Sequence, residues 1–590
     1  VDAIGTLPLT ALDTAFSRFL AQQQPSADGR HAWLAALASH QFGRGHACLD
    51  LDQLAQSPGE LLGWDADTLR QLPANLAASA SSLPWVQGAG SPLVATPADA
   101  PRRLYLRRAW SAEQQILQHL ADRQRLPIEP PANLAAQLDR LFPDAVPAGG
   151  TDCQRVACET AARHRIALVT GGPGTGKTTT VLRLLALLAA DARDRGRPFV
   201  VKLAAPTGKA ASRLSQSIGA GLARLPEDLR EGLPTDASTL HRLLGLQGEG
   251  TAPTVPPLVA DLVVVDEASM IDLAMMARLL AAVPVSARLV LLGDKDQLAS
   301  VEAGAVLAQL CERPDLAPQR VILRHSHRFD AASGIGRWAT RINEGDAPGV
   351  LADWDALPRW SATGTDVIRR LDATAARGAT LEDCVRQGWS DWRDVLTAGA
   401  ARTQGCDDAD ALALLDAFAR FQVLCALREG PWGVEQLNSR IQRALGLPLR
   451  EHWYAGRPVM VTRNDYALKL MNGDVGLCLP QAGGTLRVAF RDADGRLRWV
   501  QPSRLESVDT VFAMTVHKSQ GSEFDDLLLL LPDTPTPVVT RELFYTGLTR
   551  ARRRATLLAP SREVLRQAVE RRVRRSGGLA AERPGADHDS

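Results

Sequence analysis

Gly171-Gly172-Pro173-Gly174-Thr175-Gly176-Lys177-Thr178 is the stretch from which the fold of this 590-residue chain is read. It fits G-x-x-x-x-G-K-[ST], in which glycines let the backbone wrap tightly enough to aim N–H groups at phosphate oxygens. An apolar run precedes it at 166–170 and a helical pattern follows at 176–190. The loop therefore sits at a strand-to-helix turn, where the helix dipole also favours anions; an incidental glycine turn would not need those flanks. Gly171 through Thr175, Gly176, Thr178 and Thr179 are expected to line the phosphates, Lys177 to reach the β and γ phosphates, and Thr178 to hold magnesium. Only six of the 67 basic residues are lysine (177, 202, 209, 295, 469 and 518). An ammonium is a compact point charge that suits a crowded phosphate pocket better than the planar guanidinium fork.

Val263-Val264-Val265-Asp266-Glu267 reads as a buried strand ending in two acids. Asp266 would hold magnesium through its waters, and Glu267 would orient and deprotonate an attacking water. Acids after an apolar run also start helices, but beside a phosphate loop the pair points to ATP hydrolysis. A kinase uses similar elements, whereas hydrolysis coupled to movement needs groups that sense the γ phosphate from a second domain. Arg328 and Arg550 are the candidates, since an arginine supplied across a cleft stabilises charge spread over the transferring phosphoryl.

Outward from this core, short apolar strands at 166–170, 200–204, 262–265 and 289–292 alternate with helices, predicting a parallel sheet covered on both faces. Glycine, proline and threonine dominate 220–260, predicting an inserted loop or hairpin. A second α/β unit is expected from 421–427, with a helix from about Val434, and it resumes at 527–531 and 555–558. Between these, 457–510 alternates in the manner of strands and predicts a small inserted barrel. Residues 1–115 hold helical spacing at 12–22, with more at 112–125, and few strand-like runs, predicting a mainly helical interaction domain. Pro127-Ile128-Glu129-Pro130-Pro131 and the turn at 147–150 read as connections. Arg571-Arg572 and Arg574-Arg575 are expected to end a terminal helix, and 577–590 to be disordered.

Length predicts three or four domains. With 67 basic against 66 acidic residues and a net charge of +1, any nucleic-acid surface must be a local patch. The eight cysteines are scattered, and Cys153 with Cys158 matches no zinc spacing, as expected of reduced thiols in the cytoplasm. No stretch approaches the roughly 18 apolar residues of a membrane helix, and Val1-Asp2-Ala3-Ile4 lacks the start of a secretion signal.

Taken in order, 170–180, Asp266-Glu267-Ala268-Ser269, Gly293-Asp294-Lys295-Asp296-Gln297-Leu298, Arg328, Thr515-Val516-His517-Lys518-Ser519-Gln520-Gly521 and 545–552 resemble the motif series of superfamily-one DNA helicases. More narrowly, Ala299-Ser300-Val301-Glu302-Ala303-Gly304, Ser333-Gly334-Ile335, Cys425-Ala426-Leu427-Arg428-Glu429-Gly430-Pro431 and Asn472-Gly473-Asp474 resemble the RecD family, the alpha subunits of exodeoxyribonuclease V.

The resemblance implies two RecA-like motor domains, 116–350 and 351–590, the second with an SH3-like barrel at 457–510, behind the N-terminal domain 1–115. It implies that Gln154 reads the adenine edge, that Gln297 links the γ phosphate to the DNA track, and that Glu523 helps close the nucleotide cleft. It also implies that Pro206, Thr207, Lys209, Thr239, His241, Asn472, Thr515, His517, Lys518, Ser519 and Gln520 grip one DNA strand by its phosphates. The lesser alternative for Thr239 and His241 is a helix cap and an ordinary satisfied histidine. Tyr466 and Trp432 could stack on bases, though such aromatics more often belong to the core. The run Arg552-Arg553-Arg554 reads as a DNA or partner contact or as a solvated face.

The implied activity is an ATP- and Mg2+-dependent 5′ to 3′ helicase acting on single- and double-stranded DNA ends, in a heterotrimer with RecB-like and RecC-like subunits. The partner nuclease of such complexes needs Q-x-x-x-Y, and here Tyr105, Tyr454, Tyr466 and Tyr545 follow Pro101, Arg450, Thr462 and Arg541 at that spacing. Nuclease activity is therefore expected only from a partner. A free-standing RecD-like helicase and a P-loop assembly switch that does not translocate are the competing readings.

Overall fold

This computed structural model describes residues 7–143, 152–246, 256–372, 380–400 and 405–580, less positions 27, 89, 301, 327, 329–333, 466 and 493–494. At the N-terminus, helices Ala11–Gln23 and Arg30–Gly43 pack together. The first is held by a capping box in which Thr10 and Asp13 exchange side chain-to-backbone bonds. Beside them lies an antiparallel sheet of β1 (Cys48–Asp50), β2 (Leu93–Thr96) and β3 (Arg103–Leu106), with β3 in the middle. The region is mainly helical, and the sheet is the addition that the sequence did not reveal, because strands of three or four residues leave no alternation to read.

β3 runs straight into helix Arg107–Arg125, which packs on helix Leu273–Ala282 of the next unit. Arg123, almost wholly buried, donates Nη2 to the Leu280 and Val283 carbonyls at 3.2 and 2.6 Å, satisfying the end of that helix. The expected domain boundary at 115 thus falls inside a helix.

The first α/β unit comprises β4 (Ile166–Gly171), β5 (Val201–Ala205), β6 (Ala237–Thr239), β7 (Leu262–Val265), β8 (Arg288–Gly293) and β9 (Arg320–Leu323). They form one parallel sheet in the order β6-β5-β7-β8-β4-β9. Hydrophobic clusters cover both faces, as continuous apolar strands such as β7 require. The expected loop or hairpin at 220–260 instead contributes β6 to the sheet edge; 247–255 lie outside the described residues, as does the turn at 147–150.

The second unit contains β10 (Ile368–Arg370) and β11 (Phe421–Cys425), then an insertion of β12 (Pro458–Val461), β13 (Val475–Pro480), β14 (Leu486–Arg491), β15 (Leu497–Val500) and β16 (Val508–Thr510). β17 (Ala513–Thr515), β18 (Phe524–Leu530) and β19 (Ala551–Leu558) return to the parent sheet, which is parallel in the order β10-β19-β18-β11-β17. Helices Gly334–Glu344 and Ala347–Ala356 belong here, since Ile335, Trp338, Ile342 and Val350 share a core with Leu527 and Leu529. A boundary at 350 would cut the second of these helices. The insertion is an antiparallel sheet, β15-β14-β13-β12-β16, with its own core around Val459, Val488 and Phe490; β15 and β16 are its edges.

Arg571 caps helix Arg562–Glu570 by donating its N–H to the Gln567 carbonyl at 2.9 Å, so it ends that helix as expected, whereas Arg572, Arg574 and Arg575 lie beyond it. Ala47 N donates to the Ser576 carbonyl at 2.8 Å, Gly578 N to both Glu113 carboxylate oxygens at 3.0 and 3.1 Å, and Arg313 Nη1 to the Leu579 carbonyl at 2.8 Å. Leu579 is fully buried. The expected disorder at 577–590 is therefore corrected for 577–580, whose peptide groups and apolar side chain are taken up by the first unit and the N-terminal region; 581–590 lie outside the described residues.

Candidate active site

The C-terminal ends of β4, β7, β8 and β9 gather at one edge of the first sheet, where open α/β sheets bind ligands. β8 lies between β4 and β7, so the segment 294–298 stands between the phosphate loop and Asp266. Gly176 has φ +82°, a left-handed backbone that glycine adopts without strain. A Cβ there would collide with the Gln154 amide, and one on Gly174 with Arg328. Lys177 Nζ donates to the Gly171 and Gly172 carbonyls at 2.6 and 3.1 Å, and Thr175 Oγ1 to the Gly172 carbonyl at 2.9 Å. Thr178 and Thr179 lie half-buried in the first turn of helix Lys177–Asp194, and Pro173 is half-buried in the loop. Gln154, on helix Cys153–Arg163, donates to the Thr175 carbonyl at 3.2 Å and accepts from Arg183 at 3.3 Å. The amide expected to read adenine is thus engaged by the loop and the helix behind it.

Asp266 follows β7, and its Oδ1 accepts from Glu267 N at 2.8 Å. Burial, then the neighbouring Glu267 charge, pushes its carboxyl up to about 6, with Lys177 acting in the opposite direction. Glu267 itself sits in left-handed backbone at φ 52°, a conformation that costs a non-glycine residue free energy and marks functional sites. Next to them Asp294, buried, accepts from Gln297 Nε2 at 2.9 Å and from the Tyr545 hydroxyl at 3.0 Å on the same oxygen.

Tyr545 belongs to the second unit, on helix Arg541–Leu548, and its hydroxyl would lie 2.8 Å from a Cβ placed on Gly172. The segment is stitched further: Lys295 N donates to Thr170 Oγ1 at 3.1 Å, Leu298 N to Thr546 Oγ1 at 2.9 Å, and Gln520 Nε2 to the Leu298 carbonyl at 2.7 Å. Arg328 lies against Gly174 and pairs through Nη1 with Glu523 Oε1 at 2.9 Å. Arg550 is buried, with Nε donating to the Thr546 carbonyl at 3.1 Å and Nη1 to the Ser522 carbonyl at 3.3 Å. Burial lowers its pKa, and the Glu267 and Glu523 carboxylates counter that effect. All six expected catalytic residues, Lys177, Asp266, Glu267, Gln297, Arg328 and Arg550, thus gather at one cleft between the two units.

The residues expected at DNA divide. Thr207 caps helix Gly208–Leu222 through Ala210 N at 3.2 Å, next to half-buried Pro206. Gly208 approaches Met471, and Asp474 is among the charges acting on Lys209, so this loop meets the turn that carries exposed Asn472. Thr515 Oγ1 accepts from Lys518 N at 3.3 Å, and the Lys518 side chain is exposed. His517 is lowered by burial and by Arg575.

One of these expectations is corrected. Ser519 is fully buried and donates its hydroxyl to the Val516 carbonyl at 2.7 Å, which leaves it no route to a phosphate. Half-buried Gln520 donates its amide to the Leu298 carbonyl. Thr239 caps helix Leu240–Leu243 through Arg242 N at 3.2 Å, and His241 is exposed beside it. Trp432 packs on the second unit's core, and Tyr466 lies outside the described residues. Arg552 and Arg554 pair with Glu523 and Asp526. Asp294, Tyr545 and Thr546 carry the contacts that sequence reasoning did not assign, although all three lie inside quoted motifs.

Residues 150–364 match the AAA domain, and residues 510–558 match the UvrD-like helicase C-terminal domain. With the cleft just described, they define an ATP-dependent DNA helicase, a nucleotide-binding protein of α/β fold with parallel sheets. Residues 7–107 match the N-terminal domain of RecBCD enzyme subunit RecD. The chain is 39% identical over 577 residues to the RecBCD enzyme subunit RecD of Mycobacterium tuberculosis (strain CDC 1551 / Oshkosh), covering 94% of this chain and 91% of that protein. It is 41% identical over 491 residues to the RecD subunit of Mycolicibacterium smegmatis, covering 81% of each. The chain belongs to the RecD family. It is also similar to the ATP-dependent RecD2 DNA helicase of Deinococcus radiodurans, at 33% identity over 79% of this chain and 56% of that protein.

Proposed function

We propose that ATP hydrolysis in this cleft drives 5′ to 3′ travel along single-stranded DNA, with the chain serving as the RecD-like subunit of a heterotrimer that processes DNA ends for recombinational repair. RecB-like and RecC-like subunits are the partners in this reading, and the cytoplasm its location. No helix among the described residues is long and apolar enough to cross a membrane. The two α/β units act as RecA-like motor domains, joined between β9 and helix Gly334–Glu344. The antiparallel insertion acts as an SH3-like barrel along the strand, and the region before helix Arg107–Arg125 faces partners.

Lys177 leaves its loop carbonyls for the β and γ phosphates, and Gln154 turns to adenine. Thr178 and Asp266 supply hard oxygen ligands of the kind magnesium takes. A carboxyl pushed up by burial and by its neighbour is one that a divalent cation returns to its charged form. When bound, magnesium neutralises charge on the phosphate oxygens. Glu267 accepts a proton from water as the water oxygen attacks the γ phosphorus and the bond to the ADP oxygen breaks, while Arg328 and Arg550 hold the charge spread over the phosphoryl group.

The observation that carries this reading is segment 294–298, which touches the phosphate-loop strand through Thr170 and the second unit through Tyr545, Thr546 and Gln520. A change at the γ phosphate is thereby felt, through Gln297, at the loop 515–520 that faces DNA. Lys177→Gln is expected to abolish ATPase while single-stranded DNA binding persists; unchanged turnover would exclude this loop as the motor site. The likeness to a RecD2 helicase favours one second reading, a motor that works alone, and a purified monomer with full unwinding activity would establish it over the heterotrimer.

A further inference from the structure

Glu523, from the second unit, is nearly enclosed and receives three guanidinium groups. Arg328 Nη1 and Arg213 Nη2 share its Oε1 at 2.9 and 2.8 Å, and Arg552 Nε takes Oε2 at 3.1 Å. Burial alone would raise this carboxyl, but Arg213 and Arg328 hold it below the usual carboxylate range. Asp525 Oδ1 also lies 4.0 Å from Arg552 Nη1, so two carboxylates face three guanidinium groups beside the phosphate loop, whose Gly174 lies against Arg328. Of the three, only Arg328 touches the loop, and it is the one a triphosphate entering there meets.

Arg213 is placed differently. It sits on helix Gly208–Leu222, whose first turn carries Thr207 and Lys209, and its Nη1 also donates to the Gly521 carbonyl at 2.9 Å, one residue beyond Gln520. A Cβ added to Gly521 would lie 3.8 Å from both Thr207 Oγ1 and Ala210 Cβ, so this loop runs beside the start of that helix. One side chain of the first unit therefore holds both the backbone of the second unit's DNA-facing loop and the carboxylate on which Arg328 is parked. The fork geometry matters, because a guanidinium serves two acceptors at once in fixed directions and an ammonium does not.

We propose that Arg213 is a positioning residue that couples the nucleotide cleft to the DNA grip. When Arg328 turns from Glu523 to the nucleotide, Arg213 keeps Glu523 and Gly521 against the helix that carries Thr207 and Lys209, so that the two units close on DNA together. The proposal rests on the reading of Arg328 given above.

The test is steady-state ATPase of Arg213→Ala, Arg213→Lys and Arg328→Ala in the full chain, with and without saturating oligo(dT). Arg213→Ala is expected to leave DNA-free turnover within about twofold and to cut DNA stimulation about tenfold, the size of an ordinary coupling between sites. Arg213→Lys, which keeps the charge and the fold, is expected to lie between. Full stimulation in Arg213→Ala would overturn the proposal. So would an equal loss of both rates in Arg213→Ala and Arg213→Lys, which marks a merely structural role. Arg328→Ala separates the two layers: it should lose both rates, and intact turnover there would sink the cleft reading itself, whatever Arg213 does.

Discussion

Replacing Asp266 by asparagine is expected to abolish turnover and yet stabilise the nucleotide-free protein at neutral pH. The carboxyl rises from 3.8 to about 6 on folding. At about 1.36 kcal/mol per pH unit, a fully enclosed group would cost about 3 kcal/mol when ionised. Asp266 is half-buried, its edge open to the cleft, so solvent screens part of this and about 1–2 kcal/mol remains.

The sign follows from which state holds the proton. Between pH 3.8 and about 6 the unfolded chain has released it and the folded chain retains it, so stability falls as pH rises through that window and is level above it. Asparagine keeps the oxygen that accepts from Glu267 N and has no proton to lose. Thermal unfolding without nucleotide or magnesium should place the variant roughly 2–6 °C above the parent at about pH 7.5, and closer to it at about pH 5. A variant no more stable at the higher pH, or equally favoured at both, would refute the reasoning.

Gly176→Ala adds a side chain to left-handed backbone, at about 1–2 kcal/mol, and into the Gln154 amide; ATP affinity should fall at least about tenfold by fluorescent-nucleotide titration, and unchanged affinity would contradict the loop geometry. Burial, then Arg213, pulls the Lys209 ammonium down to about 8, so its charge is present below that pH and lost above it. If it grips a phosphate, oligo(dT) affinity should drop between about pH 7.5 and pH 9, up to about tenfold, while Lys209→Arg stays flat. Leu579→Asp places a charge at a fully buried site and should lower the unfolding temperature, with a cost of about 3 kcal/mol or more; an unaffected transition would mean the tail docking adds nothing.

What could be read from sequence was local. β4, β7, β8 and β11 are buried on both faces, and parallel strands of that kind read as unbroken apolar runs. β1 to β3 and β6 are too short to carry a period, and Leu579 sits among glycines with no pattern around it. The domain joins were misplaced because helices Arg107–Arg125 and Ala347–Ala356 pack on neighbours that spacing alone does not reveal. Lys177, Asp266 and Glu267 were legible because phosphate and metal chemistry fix residue type and spacing within a few positions. The contact of Tyr545 with Asp294 joins residues 251 apart, and Arg213 is one of many arginines, distinguished only once the fold brings Glu523 to it. Ser519 was misread for the complementary reason: its motif is real, but burial turns its hydroxyl inward.

The central claim, a nucleotide-driven motor with a defined direction, is tested most directly by strand displacement on duplexes bearing either a 5′ or a 3′ single-stranded tail, with ATP and magnesium and with Lys177→Gln as the control. Unwinding of the 5′-tailed duplex, lost in Lys177→Gln, is the predicted result. Unwinding only from the 3′ tail, or displacement that persists in Lys177→Gln, would contradict it.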